Sequence, residues 1–165
     1  MKFAHDNTHI EISIKTQTLK LWRAHRVIVT FPISSALRGT GQQKNSYQTP
    51  LGRHIVRAKI GSGLPLNSVL VGRRPTGEIY TDELARQSPR RDWILTRILW
   101  LSGCERGVNR LGAVDSMQRF IYIHGTPDTE PMGEPRSQGC IRMKNKDIMA
   151  LFDAVDAGTV VDIHL

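Results

Sequence analysis

Ile10, Ile12 and Ile14 alternate with polar residues, and Leu19 and Leu21 repeat the alternation after a polar break. A period of two puts every second side chain on one face, so both segments predict strands with one buried side. Val27-Ile28-Val29-Thr30-Phe31 extends the series beyond a polar turn at Arg23 to Arg26, and Pro32, which cannot donate to a ladder, marks its end or an edge position. The simplest arrangement is a β-meander. Residues 38–50 hold turn formers without apolar periodicity and predict a loop, after which another strand runs from His54 to Ile60. Gly61-Ser62-Gly63 with Pro65, and Arg73-Arg74-Pro75-Thr76-Gly77 ahead of Glu78 to Thr81, predict turns.

Residues 82–118 are hard to read, but the apolar run from Trp93 to Leu101 fits a buried strand better than a short helix. Phe120-Ile121-Tyr122-Ile123 is a β-branched and aromatic strand that delivers His124 at its C-terminal end, where Gly125-Thr126-Pro127 stops it. Ile148, Leu151, Phe152 and Val155 then fall at i, i+3, i+4 and i+7, the stripe of an amphipathic helix, with Asn145 as its cap and Ala157-Gly158 at its end. Thr159 to Leu165 alternates once more and predicts a final strand. At 165 residues and 39% hydrophobic composition, residues 1–165 suit a single domain whose core needs no disulfide or metal staple.

Charge sharpens the picture of the partner. Between residues 12 and 77 lie eleven Lys or Arg and no Asp or Glu, in a chain of net charge +8. That asymmetry favours an acidic partner: a nucleic acid, an anionic membrane surface or a carboxylate-rich polymer. Aromatics are 6% and are not interleaved with the basic residues as base stacking requires, so nucleic acid is not expected. No stretch approaches the roughly 20 apolar residues of a membrane span. Met1 to Asn7 lacks the apolar segment of an export signal. His5, His9, His25, His54 and His164 have no ligand spacing, so no metal is expected, and Gly39-Thr40-Gly41 lacks the following Lys-Ser or Lys-Thr of a phosphate-cradling loop.

The two cysteines, Cys104 and Cys140, belong to no C-x-x-C pair and are read as separate thiols. Cys104 follows a glycine but has Glu105 beside it, which disfavours a thiolate, and reads as structural or incidental. Cys140 stands in Ser137-Gln138-Gly139-Cys140-Ile141-Arg142-Met143-Lys144-Asn145, downstream of the strand-end His124. An acyl-transferring thiol needs a base, room for a carbonyl to approach and donors for an oxyanion. His124 offers the first, Gly139 removes a side-chain obstacle before the sulfur, and the N–H groups of Gly139 and Cys140 offer an oxyanion pocket.

These residues resemble the L,D-transpeptidase (YkuD-like) family, whose signature pairs His-Gly with a later Ser-His-Gly-Cys-Ile-Arg-Met-x-Asn. Leu19-Lys20-Leu21-Trp22 with Phe31-Pro32-Ile33-Ser34, and Thr49-Pro50-Leu51-Gly52, extend the resemblance over nearly the whole chain, with residues 61–118 least constrained. The resemblance implies Cys140 as a nucleophile that forms a thioester, His124 as its base and the carbonyl of Gly125 as the orienter of the imidazole. Arg142 looks like the family's active-site arginine, which contacts a substrate carboxylate or braces the cysteine loop; Ser137, Gln138 and Tyr122 join it as candidate substrate contacts. Gln138 departs from the pattern, standing where the family usually has a second histidine; it can hydrogen-bond but cannot titrate.

Pattern and resemblance together predict a mainly β, antiparallel sandwich or barrel-like domain, with a helix over about 146–156 and short helical turns within 82–118. The implied reaction needs no cofactor and no metal. It passes an acyl group from one peptidoglycan stem peptide to an amine of another, cross-linking the wall. Water as acceptor would make a carboxypeptidase, and the competing class is a noncatalytic wall-binding module. Such a substrate implies the cell envelope or periplasm, while the segment Met1 to Asn7 leaves a cytoplasmic pool or another export route open. A monomer is the default.

Overall fold

The computed structural model describes residues 7–165; His5 and most of the segment read for an export signal lie outside it. Ten strands form one curled, mixed sheet, a half-barrel. They are β1 (His9–Ser13), β2 (Thr18–Arg23), β3 (Arg26–Pro32), β4 (Gly52–Ile60), β5 (Ser68–Val71), β6 (Arg74–Ile79), β7 (Ile94–Gly103), β8 (Tyr122–Thr126), β9 (Ile141–Lys144) and β10 (Val160–His164). The strand order is β3-β2-β1-β10-β4-β7-β5-β6, with β8 on β7 and β9 on β8. Every pairing is antiparallel except β1 with β10 and β8 with β9. Two helices complete the fold, α1 (Asp82–Gln87) and α2 (Asn145–Ala154), with a short 3₁₀ turn at Gly112–Val114. The mainly β reading holds, and the helical turns fall inside 82–118 as expected.

The alternation of the first strands translates directly into burial: Ile10, Ile12, Leu19 and Leu21 are all enclosed. In β3 the same alternation buries only Phe31, while Val27 and Ile28 stay exposed, because β3 is the edge of the sheet and curls past the core. The turn expected at residues 73–77 is tighter than the composition suggests. Gly72 and Arg73 alone connect β5 to β6, and Pro75 and Gly77 lie in β6, an edge strand where a missing donor is tolerated.

The run at 93–101 is the pivot of the sheet. β7 pairs with β4 and then β5 along one edge and with β8 along the other. The β8 register breaks between Leu95 and Ile98, where Thr96 takes a φ of 73° and turns its hydroxyl under the sheet.

Helix α2 covers the face formed by β7, β8 and β9. Its stripe of Ile148, Leu151 and Phe152 packs on Leu99, Leu101, Ile123, Ile141 and Met143 in the main core. Each such side chain contributes about 1.5–3 kcal/mol by leaving water. Asn145 does not cap this helix. It is the first helical residue and buries its amide, which accepts from Thr96 Oγ1 at 2.6 Å and donates to Thr126 O at 2.8 Å, Asn67 Oδ1 at 3.0 Å and Asp128 Oδ1 at 3.2 Å. An expected cap is thus a buried knot tying α2 to the β7 bulge and to the end of β8.

Candidate active site

The parallel pair β8 and β9 builds the site by alternation. Register sets Ile123 beside Ile141 and His124 beside Arg142. Period two then sends Ile123, Ile141 and Met143 into the core, while Tyr122, His124, Cys140 and Arg142 all face one cavity of about 510 Å³. The chain spacing of His124 and Cys140 therefore has a geometric meaning: it is the connection that lets β9 lie parallel to β8 with both side chains on the same face. His124 lies in the middle of β8, not at its end, since the strand begins two residues later than the apolar run suggested.

His124 is enclosed, and its Nδ1 lies 2.7 Å from Gly125 O. A carbonyl only accepts, so Nδ1 carries the proton and Nε2 keeps its lone pair. No described residue hydrogen-bonds to Nε2. Gly125 contributes more than its carbonyl, since a Cβ there would sit 2.5 Å from both Asn145 Oδ1 and Leu95 O. The glycine lets the Asn145 knot close against the strand that carries the histidine.

Cys140 Sγ accepts from the backbone N–H of Tyr122 at 3.3 Å and donates to Phe120 O at 3.3 Å. Burial pushes the thiol up to about 12, against the opposing pull of the Tyr122 amide and of Arg142 and Arg119. Burial likewise holds the His124 imidazolium below its ordinary value. Burial thus disfavours the charged form of each group.

The cysteine loop is pinned by two hydroxyls. Ser137 Oγ donates to Cys140 O and accepts from Gly139 N–H at 3.2 Å. Thr49 Oγ1 donates to Gly139 O at 2.9 Å while accepting from Ala36 N–H at 3.0 Å. Ser137 borders the cavity, but its hydroxyl is bound twice within the loop, and the Gly139 amide, expected in the oxyanion pocket, is engaged in this geometry. Gly139 is required by its φ of 134°, which side-chain-bearing residues rarely adopt; a Cβ would find only ordinary contacts. Gln138 is exposed at the mouth of the cavity.

Arg142 is already partnered. Its Nη2 reaches Asp92 Oδ1 at 3.2 Å and its Nη1 lies 3.9 Å from Glu130 Oε2, with the side chain only 13% exposed. Tyr122 is buried, its hydroxyl accepting from Arg73 Nη1 at 2.9 Å. Cys104, by contrast, is exposed and lines a separate depression near Arg57 and Asp115.

Three charged cavity residues escaped the sequence reading: Arg73, Asp92 and Arg119. Arg119 spans the loop of residues 38–50, donating to the carbonyls of Gly41 and Gln42 at 3.2 Å each and Gln48 at 2.7 Å. No local motif marks it or Asp92. For Arg73 a signal existed: the apolar Val69-Leu70-Val71 followed by Gly72 is the pattern of a hairpin tip.

The mixed half-barrel brings His124, on β8, and Cys140, just ahead of β9, to one cavity, where a thiol and an imidazole are the pair of groups that acyl transfer uses. The YkuD profile, described as the L,D-transpeptidase catalytic domain, matches residues 7–163. The chain belongs to the YkuD family of L,D-transpeptidase catalytic domains, a family of cysteine enzymes that acts on peptidoglycan. It is 27% identical over 157 residues to YkuD of Bacillus subtilis, covering 94% of this chain and 65% of YkuD. Over 45 residues it is 51% identical to ErfK/SrfK of Escherichia coli, covering 27% of this chain and 14% of that protein. Among solved structures, an L,D-transpeptidase from Mycobacterium smegmatis superposes with a TM-score of 0.61 at 16% identity, covering 97% of this chain and 59% of that one. The fold is shared at that identity, and this chain spans less than two thirds of either full-length relative.

Proposed function

We propose that residues 1–165 act as one catalytic domain of a peptidoglycan L,D-transpeptidase in the cell envelope, with Cys140 as nucleophile and His124 as base. The observation that carries this reading is that the two side chains line one cavity while Gly125 O leaves only Nε2 of His124 free to take a proton. As Sγ attacks the L,D-amide of a donor stem, the S–C bond forms and the thiol proton passes to Nε2. The Cys140 N–H steadies the oxyanion. The C–N bond then breaks as Nε2 returns that proton to the departing amine, leaving a thioester. An amine of a second stem attacks the thioester and gives its proton to Nε2. The C–S bond breaks, and the proton goes back to sulfur. The lowered imidazole pKa suits this sequence, because it extends the base form of His124 below the ordinary histidine range.

The test is incubation with purified sacculi or tetrapeptide muropeptides, followed by mass spectrometry. Cross-linked dimers that vanish with Cys140→Ala are expected. Trimmed monomers alone would replace transpeptidation by L,D-carboxypeptidation, and unchanged substrate would overturn catalysis in favour of a wall-binding module.

A further inference from the structure

Three arginines and one aspartate line the cavity beside the thiol, and they are not equivalent. Arg142 is committed to Asp92 and approaches Glu130, and Arg119 is committed to loop carbonyls. Arg73 has no carboxylate partner among the described residues. Its guanidinium lies over the rings of Trp100 and Phe120, at 4.6 and 4.9 Å from their centroids, and donates one hydrogen bond to Tyr122 Oη. Stacking fixes the plane of a guanidinium and leaves its remaining N–H groups free for a planar, bidentate acceptor. The backbone supports the same conclusion. Arg73 occupies the second position of a two-residue hairpin turn with a φ of 64°, a conformation that glycine or asparagine adopts more cheaply, so the arginine is kept at a conformational cost. Tyr122 spans the two features, with its N–H on the thiol and its hydroxyl on Arg73.

We infer that Arg73, and not Arg142, is the residue that binds a carboxylate of the donor stem peptide and so sets the enzyme's preference for anionic donors. This rests on the peptidoglycan reading above. The carboxylate belongs either to the departing terminal residue or to the retained acyl portion of a donor whose scissile carbonyl sits at Cys140, in the cavity that Arg73 also lines.

The experiment titrates the Cys140→Ala protein and its Arg73→Ala and Arg73→Lys derivatives by NMR with a tetrapeptide stem and with two versions amidated at one or the other carboxylate. Arg73→Ala is expected to weaken binding of the free acid about 10- to 100-fold, the worth of charge-assisted hydrogen bonds, with partial recovery in Arg73→Lys. Amidating the carboxylate that Arg73 holds should weaken binding by itself and abolish any further effect of Arg73→Ala, which identifies the source. If Arg73→Ala leaves all three affinities unchanged, or lowers them equally, Arg73 only braces the hairpin and the inference fails while the substrate reading stands. If none of the peptides binds and the intact thiol leaves them unprocessed, the substrate reading fails and takes the inference with it.

Discussion

Cys140 and Cys104 both follow a glycine, and each lies next to a strand that bears a histidine, yet their surroundings diverge. Beside Cys104, His54 pairs through β4 with Gly103, but its ring is fully enclosed and both nitrogens are occupied, Nδ1 with Gly52 O at 3.0 Å and Nε2 with Ser116 Oγ at 2.8 Å. Beside Cys140, His124 has one nitrogen engaged and the other facing a cavity. Cys104 sits exposed, yet partial burial of its sulfur chiefly opposes its ionisation, with Glu105 and Asp162 adding to it against Arg53 and Arg110. The difference teaches that a thiol becomes a candidate nucleophile through a neighbouring imidazole nitrogen left unbonded on the same face, and not through its flanking glycine.

Breaking that comparison at the thiol has the largest expected effect. Cys140→Ala abolishes both product and covalent acyl adduct in the muropeptide assay. His124→Ala costs at least about two orders of magnitude in turnover, the usual contribution of a positioned general base. Cys104→Ala, the control, leaves both readouts near those of the unmodified protein.

The support of the histidine is the next place to press. Asn145→Ala removes the buried amide that satisfies Thr126 O and Thr96 Oγ1 and is expected to cost about 2 kcal/mol of stability in urea melts, from partners left unsatisfied in the interior. The corresponding change on the Cys104 side, Ser116→Ala, strands only His54 Nε2 and is expected to cost about 1 kcal/mol.

Acid should weaken both histidine sites together. Burial lowers the pKa of His54 and of His124, so the unfolded chain takes up protons before the folded one does. Their contribution is present above the ordinary value of about 6.5 and is lost as pH falls through the depressed values, with a slope approaching about 1.4 kcal/mol per pH unit for each histidine. Urea midpoints followed from neutral to mildly acidic pH measure it, and a flat profile would contradict neutral burial. The smallest effect is expected of Gln138→His. It leaves turnover unchanged or raises it by less than about one order of magnitude, below the scale of a proton-transfer group, because Gln138 sits exposed at the cavity mouth.

Much of this arrangement was legible in the order of residues. The strands from Ile10 to Leu21, the run at 93–101, the stripe of α2 and the strand leading into His124 all follow from periodicity, since a side chain's face depends only on its neighbours along the strand; β9, which follows Cys140, was not read as a strand. Asn145 was misread because its type and place before an apolar stripe suit a cap, while its actual partners, Thr96, Thr126, Asp128 and Asn67, come from separate segments. Val27 and Ile28 were overrated because alternation cannot tell an edge strand from a central one.

The sequence by itself determined the mainly β architecture and singled out Cys140 and His124 as the candidate thiol and imidazole, because these depend on local periodicity and residue chemistry; the parallel register of β8 and β9 that puts them on one face is tertiary. Tertiary structure alone decided that the charged forms of the thiol and imidazole are disfavoured, since desolvation depends on everything packed around them. It also decided which of the three cavity arginines is committed, among the described residues, neither to a carboxylate nor to loop carbonyls. Arg73, Arg119 and Arg142 are alike in sequence, and only the convergence of Asp92, Glu130, the loop carbonyls of residues 41–48 and the rings of Trp100 and Phe120 separates them, because charge is neutralised by neighbours in space and not by neighbours in the chain.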